Sequence, residues 1–145
     1  MFQHILLPLD GSTVSRKAAR RAIALAKEAG ARITAYHALP AASRGVYGDG
    51  YRLPAPRASR KELREARQRW FEVAARAARA AGVQFATFVE RAIRPDDGIV
   101  GAARKRNCDL IVIGSHGRRG LARLAFGSIA ANVIARSSIP VLVYR

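Results

Sequence analysis

The chain has 145 residues, half of them hydrophobic, which is the size of one globular domain with its own core. Its net charge of +16 predicts attraction to phosphate-bearing partners, nucleic acid among them, but charge alone does not identify the partner. A single cysteine excludes an intramolecular disulfide, and with only three histidines beside it the chain has too few soft ligands for a structural zinc site.

Targeting and membrane signals are missing from the sequence. The first residues lack the basic flank of a secretory signal, and Pro8 interrupts the opening apolar run. No apolar run approaches the roughly 20 residues that cross a bilayer. We therefore expect a soluble, cytoplasmic protein that makes no membrane contact and forms one domain over residues 1–145.

The first part of the chain predicts a strand, a helix and a second strand. Residues 2–9 are apolar and run directly into a turn sequence, which is typical of a buried strand. Residues 15–29 keep their apolar side chains at helical spacing, and Gly30 follows as a C-terminal cap. Residues 32–39 read as the second strand.

The middle of the chain predicts a long loop and then the longest helix. Residues 40–58 are rich in glycine and proline, which disfavours helix and central strand. Ser59 and Glu62 then form a capping box. We expect Trp70 and Phe71 in the core. The predicted apolar face of this helix consists of Leu63, Ala66, Trp70, Val73, Ala77 and Ala80.

The remaining elements continue the alternation of strands and helices. Residues 83–89 predict the third strand, and Asp96 is expected to cap a short helix over 97–106 that Asn107 closes. Further elements are a strong strand at 108–113, a helix at 128–136 and a final strand at 139–144. The order predicts a doubly wound, five-stranded, mostly parallel α/β sheet with helices on both faces, and ligands at the carboxyl ends of its strands.

A glycine-spaced segment follows the strongest strand. Gly114, Gly117 and Gly127 are followed by Ser128 at the start of a predicted helix. Glycines let the backbone approach an anion, and the free amides of a helix start can hold a phosphate. The alternative is that these glycines only make a turn and a cap. Mobile positive charge nearby would come from Arg118, Arg119 and Arg123.

Several polar residues have a functional and a structural interpretation. Asp10 could coordinate Mg²⁺ or ribose hydroxyls, or it could form an ordinary Asx-turn with Ser12. His116 could contact a phosphate or be a solvated loop residue. Packing or partial exposure is the expected role of His4 and His37, and Cys108 is expected to behave as a small hydrophobic residue.

The pattern Gly114-x2-Gly117-x9-Gly127-Ser128 resembles the nucleotide-binding signature of the universal stress protein family. Ile139-Pro140-Val141-Leu142-Val143 and the opening Ile5-Leu6-Leu7-Pro8-Leu9-Asp10-Gly11-Ser12 resemble the same family, whose β/α order matches over the whole chain. The resemblance implies a Rossmann-like fold of the ATP-binding branch. It also implies ATP, ADP or AMP as ligand, and Asp10 could coordinate a Mg²⁺ ion that accompanies the nucleotide.

The resemblance further implies which residues hold that nucleotide. The phosphates would lie on Gly114, Gly117, Gly127, Ser128 and the amide of Ile129. The ribose and adenine would meet residues at the ends of the strands, namely Pro8, Leu9, Asp10, Ala38 and Ile113. Family members with such a C-terminal strand usually pair it across a dimer axis, which implies a homodimer.

We expect a stress-response binding or regulatory module with at most slow ATP hydrolysis. The sequence has no Walker loop with its lysine and no Ser/His/Asp pattern. One alternative is a nucleic-acid-associated protein that uses the arginines of its long helix, although no interleaved aromatics accompany them. Another is an ATP-gated adaptor in which the loop 40–58 orders over the ligand.

Overall fold

The computed structural model describes residues 1–41, 59–115 and 127–145, and within them strands and helices alternate strictly. The strands are β1 (His4–Pro8), β2 (Arg32–Pro40), β3 (Phe85–Ala92), β4 (Leu110–Gly114) and β5 (Val141–Tyr144). The helices are α1 (Thr13–Ala29), α2 (Arg60–Ala80), α3 (Pro95–Lys105) and α4 (Ser128–Arg136). The predicted succession of elements is confirmed.

The five strands form one parallel sheet in the order β3-β2-β1-β4-β5. The chain moves outward from β1 to β3 and then returns to place β4 on the other side of β1. This reversal is a topological switch point, and sheets of this kind bind ligands in the crevice beyond the carboxyl ends of the strands at such a point. The predicted doubly wound α/β fold is confirmed.

Helices cover both faces of the sheet. On one face α1 and α2 pack together, and their contacts with the sheet include Ile23 and Phe71. On the other face α3 and α4 bury Ile99 and Val133 against the sheet. The central strands β1 and β4 are covered by helices on both faces of the sheet. This explains why their sequences are continuous apolar runs rather than alternating ones.

Local signals fix the ends of the first two helices. The Ser12 hydroxyl accepts a hydrogen bond from the Ser15 amide at 3.1 Å, so α1 begins earlier than predicted. Gly30 ends α1 with a φ of 66°. The capping box of α2 is confirmed: the Ser59 amide donates to the Glu62 carboxylate at 2.7 Å, and the Glu62 amide donates to the Ser59 hydroxyl at 3.2 Å.

The predicted apolar face of α2 is wrong. Leu63 and Val73 are 41% and 65% exposed, and Ala77 and Ala80 are exposed as well. The buried residues of α2 are Phe71, Ala74 and Ala78. Alanines lie on several sides of this helix and therefore do not define its core face. The bulky Phe71 determines the face, while Trp70 is half-buried.

The predicted start of α3 is also wrong. Arg94 is the N-cap and Pro95 the first helical residue, so Asp96 lies inside the first turn instead of capping it. The Asp96 side chain is buried, and its carboxylate pairs with Arg94 at 3.3 Å and with Arg136 of α4 at 3.7 Å. Asn107, with a φ of 52°, follows the helix as predicted.

Four strands begin later than predicted, β1 among them, which starts at His4 rather than at residue 2. β3 pairs along its whole length with β2, from Phe85 to Ala92, and is therefore shifted toward the C-terminus relative to 83–89. β4 begins at Leu110 and β5 at Val141, after Pro140. In the described part of the chain, no helix is both long and apolar enough to cross a bilayer.

Candidate functional site

A cavity of about 500 Å³ lies at the carboxyl ends of β1, β2 and β4, at the switch point of the sheet. Its volume is within the range of small-molecule sites. Predicted site residues line it together: Pro8, Leu9, Asp10, Ala38, Ile113, Gly114, Gly127, Ser128 and Ile129. The predicted Gly117 lies outside the described residues, as do His116, the three loop arginines and residues 42–58.

The start of α4 presents to this cavity backbone donors that have no acceptor within the helix. Gly127 is the N-cap, and no described side chain caps the helix. The first helical hydrogen bond runs from the Ala131 amide to the Gly127 carbonyl at 2.9 Å. The amides of Ser128, Ile129 and Ala130 therefore lack an intrahelical acceptor, and they stand at the positive end of the helix dipole. Such an arrangement binds an anion.

Ser115 holds the start of α4 in place. Its carbonyl accepts a hydrogen bond from the Gly127 amide at 2.5 Å, and its own amide donates to the Tyr144 carbonyl at 2.6 Å. Ser115 is only 1% exposed. The free amides of α4 are thus attached to the ends of β4 and β5, which keeps them at a fixed distance from the rest of the cavity.

Gly114 is required by packing. A Cβ atom at this position would lie 2.5 Å from the Val14 Cγ1 atom and 3.1 Å from the Val14 backbone. The close approach of α1 to the end of β4 therefore explains this glycine without a ligand. Gly127, by contrast, has a φ of −64° and a ψ of 155°, which any residue can adopt.

Asp10 forms the predicted Asx-turn and remains available to a ligand. Its Oδ1 accepts a hydrogen bond from the Ser12 amide at 2.8 Å. The side chain is exposed at the cavity, and no described basic residue pairs with it. A single carboxylate fits a Mg²⁺ ion only where nucleotide phosphates supply further oxygens. The described residues hold no cluster of three or more metal-ligating side chains.

Tyr36 and His37 also line the cavity, although Tyr36 was not among the predicted site residues and the role expected of His37 was packing or partial exposure. Tyr36 lies two residues before Ala38 on β2, so strand alternation places both on the same face and could have indicated it. The Tyr36 hydroxyl is buried and has no hydrogen-bond partner among the described residues. Burial raises the pKa of this phenol, which therefore stays protonated.

His37 is a neutral donor beside the cavity. Its Nδ1–H donates to the Leu9 carbonyl at 2.7 Å, and its ring meets Trp70 edge-on at 5.5 Å between centroids. Burial lowers the pKa of His37, and the charge of Arg67 lowers it further. The imidazole thus holds the end of β1 against β2 and is not protonated at neutral pH.

The cavity is divided by polarity. The part between β1, β2 and α3 is lined by apolar groups that include Leu9, Ala38 and Ile99. The part next to α4 carries the free amides and the Ser128 hydroxyl. Such a site suits a ligand that combines a flat apolar ring system with an anionic group.

Comparison with known proteins agrees with this architecture. The model of the universal stress protein family matches residues 1–145. A universal stress protein of Methanocaldococcus jannaschii is 33% identical over 147 residues, which cover 100% of this chain and 83% of that protein. Universal stress protein YxiE of Bacillus subtilis is 32% identical over 150 residues, with 100% of both chains covered.

Solved structures show the same fold. A universal stress protein in complex with cAMP superimposes with a TM-score of 0.74 at 26% identity, covering 99% of this chain and 97% of that one. A universal stress protein from Archaeoglobus fulgidus, at 24% identity and full coverage of both chains, gives a TM-score of 0.75. From its sequence and its fold, the chain belongs to the universal stress protein family.

Proposed function

We propose that this protein is a regulatory module of the stress response that binds an adenine nucleotide in the switch-point cavity. The observation that carries the proposal is the set of three amides without an intrahelical acceptor at the start of α4, beside a cavity whose lining also includes the apolar Leu9, Ala38 and Ile99. A related structure at 26% identity contains cAMP, which has this combination of purine and phosphate.

In this proposal each part of the ligand meets a different part of the cavity. The amides of Ser128 and Ile129 and the Ser128 hydroxyl donate to phosphate oxygens. Leu9, Ala38 and Ile113 contact the purine, and Asp10 accepts hydrogen bonds from the ribose hydroxyls. When Mg²⁺ accompanies ATP or ADP, the free oxygen of Asp10 adds one ligand to an ion held mainly by phosphates and water.

The described residues favour binding over catalysis. The titratable side chains that line the cavity are Asp10, Tyr36 and His37. Tyr36 stays protonated, and the Nδ1–H of His37 is already used on the Leu9 carbonyl. We expect hydrolysis of ATP, if measured, to be far below the roughly 1 to 100 per second of kinases.

The binding test uses Gly127→Val. Valine accepts the backbone angles of Gly127 but places a branched side chain next to the free amides, so we expect the affinity for ATP, ADP, AMP or cAMP to fall at least tenfold in calorimetric titration. Gly101→Val is the matched control, since a Cβ there meets nothing within 4 Å and Gly101 does not line the cavity. Unchanged affinity in folded Gly127→Val protein would refute the proposal.

A homodimer through β5 belongs to the same proposal. The strand is at the edge of the sheet, and Leu142 is 37% exposed. The Ile111 amide donates to the Pro140 carbonyl and the Ser115 amide to the Tyr144 carbonyl, so alternate residues of β5 face β4. The peptide groups of Val141 and Val143 therefore point outward, where a second β5 can pair with them.

A further inference from the structure

The positive charge of the described helices is concentrated on one side of the sheet. Here the α1–α2 face means the exposed surfaces of Thr13–Ala29 and Arg60–Ala80, which cover the same face. These two helices carry twelve basic and four acidic residues, a net charge of +8. The helices of the opposite face, α3 and α4, carry three basic and two acidic residues, a net charge of +1. The asymmetry is a property of the fold and does not follow from composition.

Most of this charge has no acidic partner in the part of the chain that the structure describes. Among the described residues, ion pairs on the α1–α2 face join Lys61 to Glu65 at 4.0 Å and Arg76 to Glu72 at 3.0 Å. The other ten basic side chains have no described carboxylate within 4 Å, and Arg67 alone of them is half-buried. The unpaired basic residues are Arg16, Lys17, Arg20, Arg21, Lys27, Arg60, Arg64, Arg67, Arg69 and Arg79.

The α1–α2 face lacks the groups that read single strands. Its aromatic residues are Trp70, half-buried against Gly11 and His37, and Phe71, which is buried. None of the strongly exposed large hydrophobic residues of the described chain is aromatic. Among the described residues of this face, bases of a single strand would therefore find no aromatic surface to stack on, whereas the phosphates of a duplex need only the cations.

We propose that the α1–α2 face binds the phosphate backbone of duplex nucleic acid without sequence preference. The dimensions fit, because the 21 residues of α2 span roughly 31 Å, about nine base pairs of a duplex. The face lies away from the switch-point cavity: none of the ten unpaired basic residues lines that cavity. The proposal does not depend on the nucleotide site.

The test measures binding of a fluorescein-labelled duplex DNA of about 20 base pairs by anisotropy, between 50 and 200 mM salt. The variant Arg20→Gln with Arg69→Gln removes one exposed cation from each helix. Arg104→Gln with Lys105→Gln is the matched control on α3, with the same change in net charge. Glutamine is a good helix former, so both variants should fold.

We expect the logarithm of the affinity to fall linearly with the logarithm of salt concentration. The α1–α2 variant should lower that slope by up to about 1.8 and weaken binding about tenfold or more at 100 mM salt, while the control keeps the slope of the parent protein. Two duplexes of unrelated sequence should bind alike. Affinity for adenine nucleotides should be unchanged in both variants.

Three results would overturn the proposal. Equal losses in the two variants would mean that net charge, not this face, attracts the DNA. Tighter binding of a single strand of the same length would contradict the absence of a stacking surface. Binding to vesicles that contain an anionic phospholipid, at salt concentrations where the duplex no longer binds, would assign the face to a membrane surface.

Discussion

Tyr36 places a buried hydroxyl where none of the described residues offers it a hydrogen-bond partner. The hydroxyl is buried against Gly98 of α3. It lies so close to this residue that a Cβ atom built on Gly98 would be 2.5 Å from it. The ring packs on Phe88 at 5.8 Å between centroids and contributes to the core below the cavity. A buried donor without an acceptor costs free energy of folding, and such sites in native proteins are often kept for a ligand.

Removing this hydroxyl should stabilise the ligand-free protein. For Tyr36→Phe we expect the free energy of unfolding to rise by about 1 kcal/mol, since the lost group has no hydrogen bond to give up. Urea denaturation measures the change. Tyr144→Phe is the control, because Tyr144 is half-buried and its hydroxyl is not a buried unpaired atom. A loss of stability in Tyr36→Phe would mean that the hydroxyl has a partner.

At the scale of elements, the contact between α2 and the loop after β1 connects the helix to the rim of the cavity. Trp70 packs so closely over Gly11 that a Cβ there would lie 2.2 Å from its ring. Gly11 has a φ of 78°, in the left-handed region. The same indole meets His37, whose imidazole donates to the Leu9 carbonyl. One side chain of α2 thus contacts Gly11, which follows β1, and His37 of β2, next to the cavity.

A pair of glycine substitutions separates backbone strain from this close packing. Gly30→Ala should cost about 1 kcal/mol, because Gly30 has a φ of 66° but open space around it. Gly11→Ala should cost about 2 kcal/mol more, since Trp70 must also move. Denaturation compares the stabilities, and a red shift of Trp70 fluorescence should accompany the second variant alone. Equal losses of stability in the two variants would show that Trp70 can move away from Gly11 without a measurable free-energy cost.

Over the whole molecule, the buried His4 and the half-buried His37 couple folding to pH. Burial lowers the pKa of His4 and of His37, so the folded protein binds fewer protons than the unfolded chain. The stability that the neutral rings provide is complete above the ordinary pKa of about 6.5 and is lost as pH falls through the lowered values. The free energy of unfolding should therefore decrease from pH 7 to pH 5.

Replacing both rings by amides should flatten that dependence. Asparagine in His37→Asn can keep a donor toward the Leu9 carbonyl, and glutamine in His4→Gln can keep a partner for Thr34, whose hydroxyl lies 2.8 Å from the His4 Nε2 atom. Urea denaturation at several pH values between 5 and 7 measures the slope. If the double variant retains the slope of the parent protein, other groups are responsible for it.

The edge of the sheet provides a second test at this scale. Val143→Pro removes an outward-pointing amide of β5 and leaves the hydrogen bonds to β4 in place, so it should convert the proposed dimer to a monomer. Val143→Thr keeps the amide and the branched shape and serves as control. Sedimentation velocity measures the masses. A parent protein that sediments as a monomer, or a proline variant that stays dimeric, would exclude pairing through β5.

The sequence predicted most of the fold because its signals were local. The order of elements and the bounds of α4 followed from apolar runs, caps and glycines. The face of α2 did not, because alanines surround the helix and only packing selects Phe71 over Leu63 and Val73. The role of Asp96 depends on Arg136, which is distant in sequence and reaches it only in the folded chain.

The sequence predicted where the cavity lies but not the contacts that shape it. The glycine spacing and the strand ends indicated a common location for residues that do line one cavity, such as Leu9 and Ser128. The packing of Gly114 against Val14 and the contact of His37 with the Leu9 carbonyl could not be read from spacing, because each joins elements that meet only through the tertiary fold.

The hydrogen bond between the Ser115 carbonyl and the Gly127 amide brings together the two ends of the segment 116–126. The entropic cost of bringing these two ends together depends only weakly on the number of residues between them. The segment can therefore be lengthened, shortened or exchanged with that of a relative while the sheet and α4 keep their positions.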